Sequence, residues 1–213
     1  RLKDMYRGQV AYTDTALGRL FDAMRSQERP VTVVFTADHG EEFWDHGGFE
    51  HGHDFYTELT RVPMIFWGHG VAEGGNVDEP VGLIDVAPTL LSLAGLPPRE
   101  VEGVALAGVR GEEEKDLPPR FSENNLYDLP AVLVEDGPWR LIHRSNGHIE
   151  LYDAAVDPRE MDDVSLQHPE VVQRLSALTG PRLNAFDGTI QPMQSGGPSL
   201  ETTEALRSLG YME

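Results

Sequence analysis

Val31-Thr-Val-Val-Phe-Thr-Ala-Asp-His-Gly-Glu-Glu-Phe-Trp-Asp-His-Gly-Gly-Phe-Glu-His-Gly-His53 is the stretch on which the fold turns. It opens with a β-branched run, Val31 to Phe35, that reads as a buried strand. The run breaks into Asp38-His39-Gly40, and four of the chain's eight histidines fall between positions 39 and 53. Asp38, Glu41, Glu42, Asp45 and Glu50 lie among them. Ligands of open α/β sheets bind just outside the carboxyl ends of the strands, which is where Asp38 and His39 are expected. Carboxylate oxygen and neutral imidazole both ligate divalent metals, and Gly40 lets the backbone turn tightly enough to aim both side chains at one point. The competing reading is a solvated acidic loop that holds histidines by chance. The coincidence of strand, Asp-His-Gly and histidine cluster weighs against it.

Upstream, Leu2, Met5, Tyr6, Val10, Leu17, Leu20, Phe21 and Met24 recur at three- and four-residue steps, which predicts an amphipathic helix over 2–24. Asp14 is expected as an exposed helix carboxylate. Downstream, Pro63 precedes a second short apolar strand, Met64 to Trp67, at a position where a missing N–H is tolerated. Residues 83–95 read as a helix with Asp85 as N-cap, Pro88 in the first turn and Gly95 just past the end. Strand, loop, strand and helix of this kind belong to a layered α/β domain.

Residues 108–120 are charged and Pro-rich and read as a surface connection. Beyond them, Ala131–Glu135, Trp139–His143 and Ile149–Tyr152 are three strands separated by Asp-Gly-Pro and Ser-Asn-Gly turns, an antiparallel meander. A helix is predicted from His168 to Gly180, then loop over 181–200 and a last short helix over 201–209.

The length of 213 residues suits one large domain or one and a half small ones. Hydrophobic content of 39% and charged content of 25% are those of a soluble globular protein. A net charge of −19 disfavours nucleic acid and anionic lipid as partners. With no cysteine, disulfides and Cys-ligated zinc are excluded. No apolar run is long enough for a membrane span, and the N-terminus has no signal-peptide pattern. The chain enters directly into helical periodicity with no leading strand, which is expected of a fragment.

Thr36-Ala-Asp-His-Gly-Glu41, Asp45-His-Gly47, Thr60-Arg-Val-Pro63, Asp85-Val-Ala-Pro-Thr-Leu-Leu91, Glu150-Leu-Tyr-Asp153 with Asp157-Pro158, and Leu209-Gly-Tyr211 follow one another along the chain. As an ordered set they resemble the sulfatase family of the alkaline phosphatase superfamily, over its C-terminal half. The resemblance implies the C-terminal part of a sulfatase-like α/β sandwich domain at 1–118. A small α+β subdomain with an antiparallel sheet would follow at 119–213. It implies hydrolysis of sulfate esters by a formylglycine made from a Cys or Ser in a Cys/Ser-x-Pro-x-Arg motif, beside a bound divalent metal, calcium foremost, with Mn2+ or Zn2+ as alternatives. A sulfated small molecule or glycan would be the substrate, and relatives are commonly exported, hence periplasmic or secreted.

Asp38 and His39 match the family's metal-binding positions, and Arg61 resembles a structural one. Many relatives carry a Lys that contacts the sulfate and the leaving oxygen; counted without gaps from His39, its place falls on His51. His53 shares the face of His51 if the chain is extended there, and His46 is as readily a structural hydrogen-bonding residue. The chain departs from the family in having no Cys and no Ser-x-Pro-x-Arg. It also lacks the N-terminal Asp-Asp metal pair, so formylglycine is not in this chain and the chain alone is expected to be inactive. A phosphomonoester, phosphodiester or phosphonate hydrolase of the same superfamily is the nearest rival. A non-catalytic metal-binding module is another. A Ser-His-Asp esterase is disfavoured because no Gly-x-Ser-x-Gly elbow occurs.

Overall fold

The computed structural model describes residues 1–113, 117–124 and 129–186. Helix α1 spans Leu2–Arg25, as its periodicity predicts, yet none of its residues is buried. Its apolar stripe faces outward, with Met5 58% and Val10 53% exposed. Its contacts to the rest of the fold include Tyr6 edge-on to Phe43 at 5.3 Å, Phe21 against Trp67 at 5.6 Å, and an ion pair from Lys3 to Asp45 at 2.8 Å.

Strand β1 (Thr32–Thr36) pairs antiparallel with β4 (Met64–Gly68), from Thr32 opposite Gly68 to Thr36 opposite Met64. The expectation that β1 is buried is corrected: all five of its residues are half-buried. Among the described residues this sheet has two strands, and the far side of β4 is open enough to leave Ile65 54% exposed. Between the two strands lie a two-residue-per-arm hairpin, β2 (Glu42–Phe43) with β3 (Phe49–Glu50), and a one-turn helix α2 (Thr57–Thr60).

Helix α3 (Val86–Leu93) ends as predicted, on Gly95 at φ 66°. The amides of Gly95 and Leu96 reach back to the Ser92 and Leu91 carbonyls at 3.1 and 2.9 Å. The role of Asp85 is corrected. Its carboxylate does not cap α3; it accepts the N–H groups of Gly82 and Val104, both at 2.9 Å, and lies 3.0 Å from the Arg120 guanidinium. A fully buried carboxylate needs such partners, and the loop and Arg120 outcompete the helix end for it.

Four strands then form one antiparallel sheet in sequence order, β5 (Arg120–Asn124), β6 (Ala131–Asp136), β7 (Trp139–Arg144) and β8 (Ile149–Asp153). The three predicted strands are there. The fourth, β5, was missed because Arg120 reads as polar surface, whereas its side chain is buried against Asp85. Helix α4 runs Pro169–Ala185, past the expected stop at Gly180 and through Pro181. Leu175 and Thr179 are fully buried on that helix, and packing of this kind overrides local breakers. The predicted helix over 201–209 and the Leu209-Gly-Tyr211 motif lie outside the described residues. No helix among those described is long and apolar enough to cross a membrane.

Both faces of the sheet are covered. Val134, Leu141 and Leu151 pack with Val171 and Leu175 of α4. Ala131, Leu133, Ile142 and Tyr152 pack on the other face with Phe55, and Tyr56 joins them. That second face reaches the histidine loop, because Phe55 and Tyr56 immediately precede α2, whose Glu58 and Leu59 carbonyls receive the amides of Glu41 and Gly40.

Candidate active site

Asp38 and His39 follow the end of β1. The Asp38 carboxylate accepts the backbone N–H of His39 at 3.0 Å, and His39 Nδ1 donates to the carbonyl of Gly40 at 2.8 Å. That leaves Nε2 as the free nitrogen, 3.7 Å from Asp38 Oδ2. The turn that aims both groups is closed from α2: Gly40 N–H donates to Leu59 O at 2.7 Å and Glu41 N–H to Glu58 O at 3.0 Å. Only glycine fits at position 40, since a Cβ there would lie 1.9 Å from Glu58 O.

His51 stacks on His39, ring centroids 4.0 Å apart and planes within 25°. Its Nδ1 lies 3.1 Å from a Glu41 carboxylate oxygen. Asp38, His39 and His51 line one cleft of about 1120 Å3, which Arg61, Asp54 and Arg140 also border.

His53 does not join them. The extended chain that would put it on the face of His51 is absent, because Glu50 and Gly52 take φ values of 70° and 87° and turn the backbone. Its Nε2 lies instead 2.7 Å from Glu42 Oε2. His46 is held on both nitrogens, Nδ1 by Glu58 Oε1 at 2.6 Å and Nε2 by the Glu160 carbonyl at 3.1 Å, with its ring stacked on Tyr56 at 3.7 Å. Both partners are acceptors, so both ring nitrogens donate and the imidazole is held as the cation.

Sequence reasoning passed over Glu42, whose carboxylate is 1% exposed. Its Oε1 accepts the N–H groups of His46 and Gly48 at 3.0 and 2.6 Å while Oε2 meets His53. One side chain thus ties together the loop of residues 42–53. Its place two residues after Gly40, inside an acidic run, hid it: nothing in the sequence separates the buried carboxylate from its solvated neighbours.

These contacts set the pH response. Burial raises the Glu42 pKa, but the bonds from His53, His46 and Gly48 outweigh it and leave the carboxyl below its ordinary 4.5. Burial lowers the His46 pKa, but Glu58 and the Glu160 carbonyl outweigh it and leave the imidazole above 6.5. A raised histidine pKa stabilises the fold fully below the unfolded value and loses that contribution as pH rises through the folded one. His46→Gln is therefore expected to lower the melting temperature most on the acid side of 6.5, with the gap narrowing in alkali. A gap of constant size across that range would refute the charged-imidazole assignment.

Asp38 and His39 fit a divalent metal in donor chemistry and in convergence. They could offer two donors; no three His, Asp or Glu side chains converge on one point among the described residues.

Residues 1–96 match the model of the Sulfatase family. The chain is 28% identical to arylsulfatase K of Gallus gallus over 194 residues, 84% of this chain and 36% of that protein. It is 26% identical to the choline-sulfatase of Rhizobium meliloti (strain 1021) over 227 residues, 99% of this chain and 43% of that protein. Among solved structures it superposes on the phosphonate monoester hydrolase of Agrobacterium radiobacter with a TM-score of 0.66 at 24% identity, over 84% of this chain and 40% of the other. A protein solved with its substrate D-glucosamine-2-N,6-O-disulfate gives 0.64 at 23%, again over 84% and 40%. At those identities the two structures show the fold alone: mixed α/β, with antiparallel sheets. The chain spans 36% and 43% of the length of these two curated relatives. The family match lies over the first 96 residues, and the curated relatives align across more than four-fifths of the chain at under 30% identity, so the chain is similar to sulfatases along most of its length.

Proposed function

We propose that the chain is the portion of a sulfuric ester hydrolase that carries half of a divalent-metal site and the leaving-group side of the active centre. Residues 1–118 would be the C-terminal part of the main α/β domain and 119–213 its small subdomain. The observation that carries the reading is the convergence of Asp38, His39 and His51 on one cleft, with His51 stacked 4.0 Å from His39.

Asp38 and His39 Nε2 would hold the metal, calcium in the first instance and Mn2+ or Zn2+ otherwise. When bound, the metal supplies positive charge against the sulfate oxygens. The remaining ligands and the formylglycine nucleophile belong to sequence outside this chain. Within the chain, His51 would hold a proton against the departing ester oxygen. Glu41, on its Nδ1, fixes which nitrogen faces the cleft. His53, directed to Glu42, has the loop rather than the substrate as its partner. The substrate is a sulfated small molecule or glycan, met outside the cytoplasm in a periplasmic or secreted protein.

The test is an aryl sulfate assay on the full-length protein and on residues 1–213 alone. The full-length protein is expected to hydrolyse the ester and to lose activity to a chelator. The shorter chain, with no group to attack sulfur, is expected to show no turnover. Metal-dependent hydrolysis by residues 1–213 would sink the divided-site reading. Turnover of a phosphonate monoester by a full-length protein inert to sulfate esters would move the function to the phosphonate branch.

A further inference from the structure

We propose that Arg140 and Glu160 are positioning residues for the Asp38–His39–His51 site, acting on it from the antiparallel sheet; the proposal rests on reading those three residues as the site. Glu160 is 1% exposed and sits at φ 55°, a left-handed conformation that a non-glycine residue keeps only where its surroundings enforce it. One carboxylate oxygen takes the Arg140 Nε–H and the other the Thr57 N–H at 2.5 Å. Arg140 in turn donates through Nη2 to the Phe55 carbonyl at 3.0 Å and the Thr60 hydroxyl at 2.9 Å, and through Nη1 to Glu135. The pair therefore grips residues 55, 57 and 60, the whole of α2 with its lead-in.

What α2 does is already visible in the turn after β1. The carbonyls of Glu58 and Leu59 receive the amides of Glu41 and Gly40, the two residues that follow Asp38-His39, and Glu41 itself reaches His51. Polar contacts thus run without interruption from the sheet through α2 to the stacked histidines. The Glu160 carbonyl adds a second arm through His46 Nε2. A buried ion pair is a costly way to stabilise a sheet. A pair serving only the sheet would keep its donors there; Arg140 directs Nη2 at the segment that carries the site.

The stacked rings provide a readout that general stability does not move. In the full 213-residue chain, the ring C–H resonances of His39 and His51 are displaced by each other's ring current, relative to the exposed His69 and His148. Glu160→Gln keeps the size of the side chain and removes its charge. Thr60→Val keeps the shape and removes one acceptor of Arg140. Both are expected to lose most of that displacement while the methyl signals of Leu133 and Val134 stay in place. Thr60→Ser is expected to restore it. Arg174→Ala, which breaks a surface pair with Asp136, is expected to leave it unchanged. If Glu160→Gln does not fold, Thr60→Val decides. An unchanged displacement in the folded variants, or an equal loss in Arg174→Ala, would overturn the proposal. Ester turnover is not measured in this experiment, so failure of the sulfatase reading is seen separately.

Discussion

Asp38→Ala in the full-length enzyme is expected to lower kcat/KM by more than about 100-fold, and saturating metal is expected to recover little of it. Residues that merely orient metal ligands are typically worth about 10–100-fold, so loss of the proposed anionic ligand would exceed that. Asp38 also accepts the His39 amide at 3.0 Å, so the substitution loosens the second donor along with the first. Glu41→Gln keeps a hydrogen-bond acceptor for His51 and is expected to cost far less. The comparison is steady-state kinetics against metal concentration for wild type and both variants. Equal losses at Asp38 and Glu41 would mean that the loop is fragile and that Asp38 has no special role.

Gly40→Ala is expected to damage stability and site together. An added Cβ meets a backbone oxygen at 1.9 Å and its carbon at 2.9 Å, with no flexible side chain to give way. Either the Gly40–Leu59 and Glu41–Glu58 bonds lengthen or α2 retreats from the turn. Overpacking usually costs about 1–3 kcal/mol, and a clash against backbone belongs at the upper end. For a chain of this size that is a fall of about 2–4 °C in melting temperature per kcal/mol, accompanied by weaker metal binding. Gly8→Ala is the matched control: it lies inside α1 with nothing within 4 Å of the new Cβ, and it is expected to stabilise by about 0.5–1 kcal/mol. A Gly40→Ala protein that melts with the wild type would mean that the turn after β1 is not pinned by α2.

The elements legible in the sequence were those set by local chemistry. The period of α1, the turn residues between β6, β7 and β8, and Gly95 after α3 all act within a few positions of themselves. What could not be read depends on partners far along the chain. Arg120 looks like surface until Asp85 is seen beside it, and Gly180-Pro181 looks like a helix stop until Leu175 and Thr179 are seen packed on the sheet. In the candidate site, Asp38 and His39 were singled out from the strand and the Asp-His-Gly pattern and His51 from the family resemblance, and the structure brings the three to one cleft. The placing of His53 rested on an extended backbone that the positive φ angles at Glu50 and Gly52 remove. Glu42, Arg140 and Glu160 carry no local mark, because each is buried together with partners along the chain, up to 114 residues away.

The sequence separation of those partners also orders the events of folding. Strands β5 to β8 are joined by short connections, so each pairing closes a small loop. The Arg140 and Glu160 contacts with residues 55–60 close loops of 80 to 103 residues, and loop-closure entropy must be met before such contacts give any return. The sheet is therefore expected to form early and the histidine loop to settle on it last. By the same logic the loop is the first to open in the native state, with the Gly40 and Glu41 amides exchanging ahead of those of β6 and β7.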